Sequence, residues 1–126
     1  MRIQESAENY LETILVLHQR KGMVRSIDIV NELSFSKPSV SVAMKRLREE
    51  GCIEMDRAGY ITLTEKGSQI ATKVYERHEL FTDWLTSLGV EPEVAAEDAC
   101  RIEHVLSAES FSAIKRHVEQ QREKQR

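Results

Sequence analysis

The sequence predicts a mainly helical chain with one small β-hairpin near its middle, three helices ahead of the hairpin and three behind. Three observations predict this. Apolar residues recur at helical spacing along most of the 126 residues. Two prolines and five glycines are too few for an all-β fold with many turns. Two short alternating runs, Cys52–Arg57 and Tyr60–Leu63, flank Ala58-Gly59, which reads as a hairpin turn.

Each element has its own signals. The first helix is expected from Ser6, a candidate cap, to Lys21, with Gly22 as its stop and Tyr10, Leu11, Ile14, Leu15 and Leu17 as its buried stripe. Ser26 is expected to cap a short second helix carrying Ile27, Val30 and Leu33. Ser34-Phe35-Ser36 reads as a tight turn. A third helix then carries Pro38 in its first turn, where a missing N–H costs nothing, and Val40, Met44 and Leu47 on its inner face, and it stops at Gly51. Thr64 can cap a long fourth helix, Glu65 to Leu88, with Ile70, Val74, Phe81, Leu85 and Leu88 in register. Pro92 opens a fifth helix to about Leu106. Ser107 caps a sixth, carrying Phe111, Ile114 and Val118, which are expected to lack enough partners within one chain and to serve a dimer contact, and the polar tail from Gln120 to Arg126 is expected to fray.

Composition narrows the function classes. Hydrophobic residues at 40% and charged residues at 31% describe a globular chain. No apolar run approaches the roughly 18 residues of a membrane span, and the N-terminus lacks a signal-peptide core. Cys52 and Cys100 are too few for a disulfide framework, so a cytoplasmic location is expected. The net charge of -3 does not exclude DNA binding, because placement outweighs the total. Residues 1–71 carry ten basic and ten acidic side chains, and residues 72–126 carry eight and eleven. Ser36–Arg48 holds Lys37, Lys45, Arg46 and Arg48 and no acid.

Three helices, the second and third joined by a tight turn, followed by a hairpin, make a winged helix-turn-helix. The expected organisation is therefore a winged helix-turn-helix over residues 1–71 followed by a second helical unit over residues 72–126. The helix after Pro38 is narrow enough for a major groove. Ser36, Lys37, Pro38, Ser39 and Ser41 lie at its leading end, where base edges or phosphates are met first. Val42 could touch a thymine methyl. Lys45 and Arg46 further along, and Arg57 at the hairpin tip, are placed to hold phosphates, which positions the protein without reading sequence.

The second half holds a more specific pattern. Cys100, Glu103 and His104 stand at i, i+3 and i+4, so their side chains leave one face of a helix. A thiolate, a carboxylate and an imidazole there could hold a divalent transition metal. His78 shares the inward stripe of Val74, Phe81 and Leu85 and offers a fourth ligand. Glu12, with Asn9 one turn before it, could face the same cluster. Taken singly, each has a plainer reading: a hydrogen-bonded core histidine, a small buried cysteine, a solvated glutamate.

Together these segments resemble a known family. Glu97-Asp98-Ala99-Cys100-Arg101-Ile102-Glu103-His104-Val105-Leu106-Ser107, Ala7-Glu8-Asn9-Tyr10-Leu11-Glu12-Thr13-Ile14 and Arg77-His78-Glu79-Leu80 are similar to the signatures of the DtxR/MntR metal-dependent transcriptional repressors. The resemblance implies a homodimer acting on palindromic double-stranded operator DNA, with Fe(II) or Mn(II) as co-repressor, in the short form without the SH3-like domain of the larger members. Glu12, His78, Glu103 and His104 match ligand positions of both branches. Cys100 matches the iron branch, where the manganese branch has a carboxylate. Asn9 departs from both, and Thr82 and Ala96 replace the carboxylate and imidazole of the iron branch's ancillary site, so one principal site per subunit is expected.

The expected function is a metal-activated, sequence-specific repressor of metal-uptake genes. Fe(II) is favoured, Mn(II) comes second, and Co(II), Ni(II) or Zn(II) are expected to substitute in vitro. Without metal, the acidic ligands repel one another and the two halves are expected to hinge. With it, the recognition helices would sit near the ~34 Å spacing of successive major grooves. Two other readings stand beside this one: a winged-helix protein with a purely structural zinc site, and a small metallohydrolase. The hydrolase lacks an evident general base and substrate cleft. No enzyme activity, membrane partner or small organic substrate is expected.

Overall fold

The computed structural model describes residues 3–125, with side chains for residues 6–125. In order, the elements are α1 (Ile3–Lys21), β1 (Val24–Arg25), α2 (Ser26–Leu33), α3 (Lys37–Glu49), β2 (Ile53–Met55), β3 (Tyr60–Leu63), α4 (Glu65–Ser87), α5 (Pro92–Ile102) and α6 (Ala108–Lys124). The chain divides into two units inside α4, the first ending at Lys73 and the second beginning at Val74. Among the described residues, no helix is long and apolar enough to cross a membrane.

The first unit closes over the apolar stripes read from the sequence. Leu11, Ile14 and Leu17 of α1 meet Ile29 of α2, Val40, Met44 and Leu47 of α3, and Ile53 and Ile61 of the sheet, all buried. Two helix starts differ from expectation. The first helix begins at Ile3, ahead of Ser6. Ser26 is the first residue of α2 rather than its cap: Arg25 takes the cap position with extended backbone, and its N–H donates to Asp28 Oδ2 at 2.8 Å. Ser34 turns the chain with φ 56. Ser36 then caps α3, its Oγ accepting from the Ser39 N–H, and Pro38 sits in the first turn.

Gly51, with φ +77, ends α3 in the left-handed region, and the Cys52 N–H returns to the Leu47 carbonyl at 2.9 Å. The strand order is β1-β3-β2, antiparallel throughout, with Val24 opposite Ile61 and Glu54 opposite Thr62. Two-residue β1 escaped the sequence reading because so short a run shows no period. In the hairpin turn, Asp56 Oδ1 accepts from the N–H groups of Ala58 and Tyr60. The first turn of α4 then presses on the chain leaving α3. A Cβ on Gly67 would lie 2.0 Å from the Cys52 carbonyl oxygen, so that approach demands glycine.

In the second unit, Leu80 and Phe81 of α4 pack with Ala99 of α5 and Phe111 and Val118 of α6, with Trp84, Ile102, Leu106 and Ile114 around them. The rings of Phe81 and Phe111 meet edge to face at 5.9 Å. Three expectations are corrected here. The fifth helix stops at Ile102, not Leu106, and a turn follows. Phe111 and Val118 find cover within their own unit, so they are not unpartnered surface. The sixth helix continues to Lys124 instead of fraying from Gln120, while Arg126 lies outside the described residues.

Candidate metal centre and nucleic-acid interface

The outward face of α3 is long and cationic. Val40, Met44 and Leu47 turn inward, which leaves Lys37, Pro38, Ser39, Ser41, Val42, Lys45 and Arg46 exposed, with Ser36 exposed at the cap. Val42 is 70% exposed, an apolar tip with no cover in its own unit. The first turn carries no acidic residue, and free N–H groups at a helix start favour anions. A shallow cavity of about 470 Å³, lined in part by Ser6, Tyr10, Ser39 and Arg46, opens beside this face. Arg57 stands exposed on the turn between β2 and β3. Every residue expected to meet DNA is thus on the surface of the first unit.

The second unit gathers the expected ligands. Ligand atoms from Cys100, Glu103 and His104 all lie within 4.8 Å of one another. They come from the last turn of α5 and the turn beyond it, since Glu103 is the C-cap, with helical φ and ψ. The i, i+3, i+4 placement therefore survives although two of the three residues stand past the end of the helix. His78 reaches in from α4: its Nδ1 donates to Glu103 Oε2 at 3.1 Å, and His104 Nε2 lies 3.3 Å from Glu103 Oε1.

Glu103 is only 1% exposed, yet it is acidic. Burial pushes its carboxyl up, but the imidazoles of His104 and His78 more than offset this and hold it below the usual carboxylate range. Glu103 Oε1 makes no hydrogen bond of good geometry among the described residues. A buried carboxylate with a spare lone pair, one thiol and two ring nitrogens form a donor set that fits a divalent transition metal. Glu12 and Asn9 belong to α1 of the first unit, where Glu12 is buried and Asn9 half-buried. The Thr82 hydroxyl donates to the His78 carbonyl at 2.7 Å.

Two polar residues that the sequence reading left without a role do structural work. His18 Nε2 contacts the Ile61 carbonyl at 3.0 Å, tying α1 to β3. Arg77 donates from Nη1 to the carbonyls of Glu103 at 3.1 Å and Leu106 at 2.9 Å, and its guanidinium lies 5.0 Å from the Phe111 ring centroid. An arginine next to the candidate ligand His78 was the available signal for the second.

A winged helix with a cationic recognition face, followed by a helical unit with a nitrogen, oxygen and sulfur donor cluster, defines a class: metal-dependent transcriptional regulators. The chain belongs to the iron-dependent repressor family, the DtxR/MntR family. Residues 2–61 match the family's N-terminal DNA-binding domain and residues 64–125 its metal-binding and dimerisation domain. A transcriptional regulator MntR of Escherichia coli is 36% identical over 89% of this chain and 72% of its own length. An uncharacterised HTH-type transcriptional regulator of Methanocaldococcus jannaschii is 30% identical over 97% of this chain and 99% of its own. The solved structure of the manganese regulator SloR superposes with a TM-score of 0.79 at 27% identity, covering 90% of this chain. This chain spans about half, 53%, of the length of that protein.

Proposed function

We propose that the protein is a metal-activated, sequence-specific DNA-binding repressor of iron- or manganese-uptake genes, working as a cytoplasmic homodimer on palindromic operators. The observation that carries it is the convergence of Cys100, Glu103, His104 and His78 in a chain whose other unit exposes a cationic recognition helix. Membership of the family supports the same reading. Exposed Leu88, Val94 and Val105 supply apolar surface on the second unit for a partner copy.

Cys100, Glu103, His104 and His78 would hold the ion, and the family resemblance adds Glu12, with Asn9 beside it, from α1. A bound divalent ion supplies positive charge and a fixed coordination geometry. Glu103 is already held ionised by two imidazoles, so it is ready to ligate without giving up a proton. Ser36, Lys37, Ser39, Ser41 and Val42 meet base edges or phosphates first, while Lys45, Arg46 and Arg57 hold phosphates. By linkage, whatever factor metal adds to DNA affinity, DNA adds to metal affinity. We favour Fe(II) because Cys100 stands where a harder site would place a carboxylate. Mn(II) is the second choice, and Co(II), Ni(II) or Zn(II) would substitute in vitro.

The test is an anaerobic titration. Palindromic DNA is selected from a random pool by the metal-loaded protein, and its affinity is followed by anisotropy as Fe(II) or Mn(II) is added. Affinity should rise at least ~10-fold, within the range of allosteric couplings. Metal that binds while DNA affinity stays flat would make the ion structural, and the repressor reading would fall.

A further inference from the structure

We propose that Arg77 is a positioning residue of the metal centre. Its guanidinium holds the turn after α5, and through that backbone it sets the Glu103 carboxylate and the His104 imidazole in ligand geometry. The proposal rests on the metal reading above.

The backbone hydrogen bonds of this region make the case. Helix α5 ends at Ile102, so the carbonyls beyond it lack helical partners. The Glu103 N–H still bonds the Ala99 carbonyl, and the Val105 N–H bonds the Ile102 carbonyl at 3.1 Å. The carbonyls of Glu103 and Leu106 are served from another helix, both by Arg77 Nη1. Cationic donors suit the C-terminal end of a helix, whose carbonyls carry partial negative charge. The Phe111 face, 5.0 Å from the guanidinium, fixes where the fork can point.

Arg77 and His78 are neighbours on α4, and both reach the same residue. His78 pairs with the Glu103 carboxylate and Arg77 with the Glu103 carbonyl. Glu103 is thereby gripped at its backbone and at its side chain by one helix. Replacing the guanidinium would leave two partly buried carbonyls without their donor and free the turn to shift. Groups that orient metal ligands in this way typically account for ~10–100-fold in metal affinity.

The experiment uses Co(II) and the full chain. The parent should bind Co(II) with a thiolate-to-cobalt charge-transfer band that Cys100→Ala removes. A parent that shows no Co(II) spectrum at all sinks the metal reading itself, and ligand-field bands without the charge-transfer band remove only Cys100 from the ligand set. Given a parent that binds, Arg77→Met should weaken Co(II) binding ~10-fold or more and alter the intensity of the visible ligand-field bands. Arg77→Lys, which keeps the charge and a donor, should recover part of both. Lys115→Met removes the exposed Lys115–Glu76 ion pair between α4 and α6 and should change neither reading. Should Arg77→Met fail to fold, Arg77→Gln is judged by the same affinity and spectrum. Affinity within twofold of the parent with an unchanged spectrum overturns the proposal. So does an Arg77→Gln chain that stays unfolded by circular dichroism with Co(II) present, because Arg77 would then serve the fold and not the site.

Discussion

Cys100, as a proposed ligand, would distinguish this site from an all-oxygen-and-nitrogen one. A thiolate is a softer donor than a carboxylate and favours Fe(II) over Mn(II). Cys100→Ala should therefore remove most of the Fe(II) response while leaving the helical circular dichroism intact. Cys100→Glu combined with Asn9→Asp should move the preference toward Mn(II). Equal Fe(II) and Mn(II) curves in the parent and in Cys100→Ala would show that the thiolate plays no part. Asp28 gives a second prediction at this scale. The Lys21 ammonium and then the Arg25 N–H hold its carboxyl below the usual range, with burial acting weakly in the other direction. Folding thus favours the ionised form. The stabilisation is complete above the ordinary carboxylate pKa of about 4 and is lost as pH falls through the lowered value. Asp28→Asn should lower Tm by about 2–4 °C at pH 7, and the gap should narrow as both proteins are melted at progressively lower pH.

Among the elements, α3 separates holding from reading. Its inner face is spent on Val40, Met44 and Leu47, so its outer face is free to be chemically specific. Lys45→Ala and Arg46→Ala should each weaken selected and random DNA alike and lower the slope of log affinity against log salt by about one unit. Ser39→Ala should instead change which sequences are preferred, although Ser39 also accepts the Ser36 hydroxyl at 2.8 Å, so its loss touches the cap as well. Salt slopes that match the parent for both cationic variants would exclude the proposed docking of this helix. The end of α5 is also divided between helices: the Glu103 and Leu106 carbonyls beyond Ile102 accept from Arg77 of α4.

For the molecule as a whole, the proposed function requires a second copy. A palindromic operator requires two recognition helices in fixed relation. The apolar residues first suited to a dimer contact, Phe111 and Val118, are used inside the second unit. Leu88, Val94 and Val105 remain exposed and are the better candidates. Sedimentation should show a dimer at micromolar concentration with or without metal, and Val105→Glu should shift it toward monomer without loss of helix content. A monomeric parent in the presence of Mn(II) or Fe(II) would end the dimer proposal.

Helical periods, the Ser107 cap and the Gly-bounded turns are local, and local chemistry alone determined six helices and a hairpin in their order. The i, i+3, i+4 spacing of Cys100, Glu103 and His104 was equally legible, because a ligand pattern on consecutive turns is written in the chain itself. What followed from long-range packing was not legible. The two-residue β1 exists because Ile61 and Tyr60 offer it a partner edge. Phe111 counts as core because Phe81 arrives beside it from thirty residues away. The fifth helix stops at Ile102, and the Glu103 and Leu106 carbonyls beyond it accept from Arg77 on another helix. In each case the deciding partner is distant in sequence, so no period or cap near the residue could announce it; only folding brings the two groups within reach.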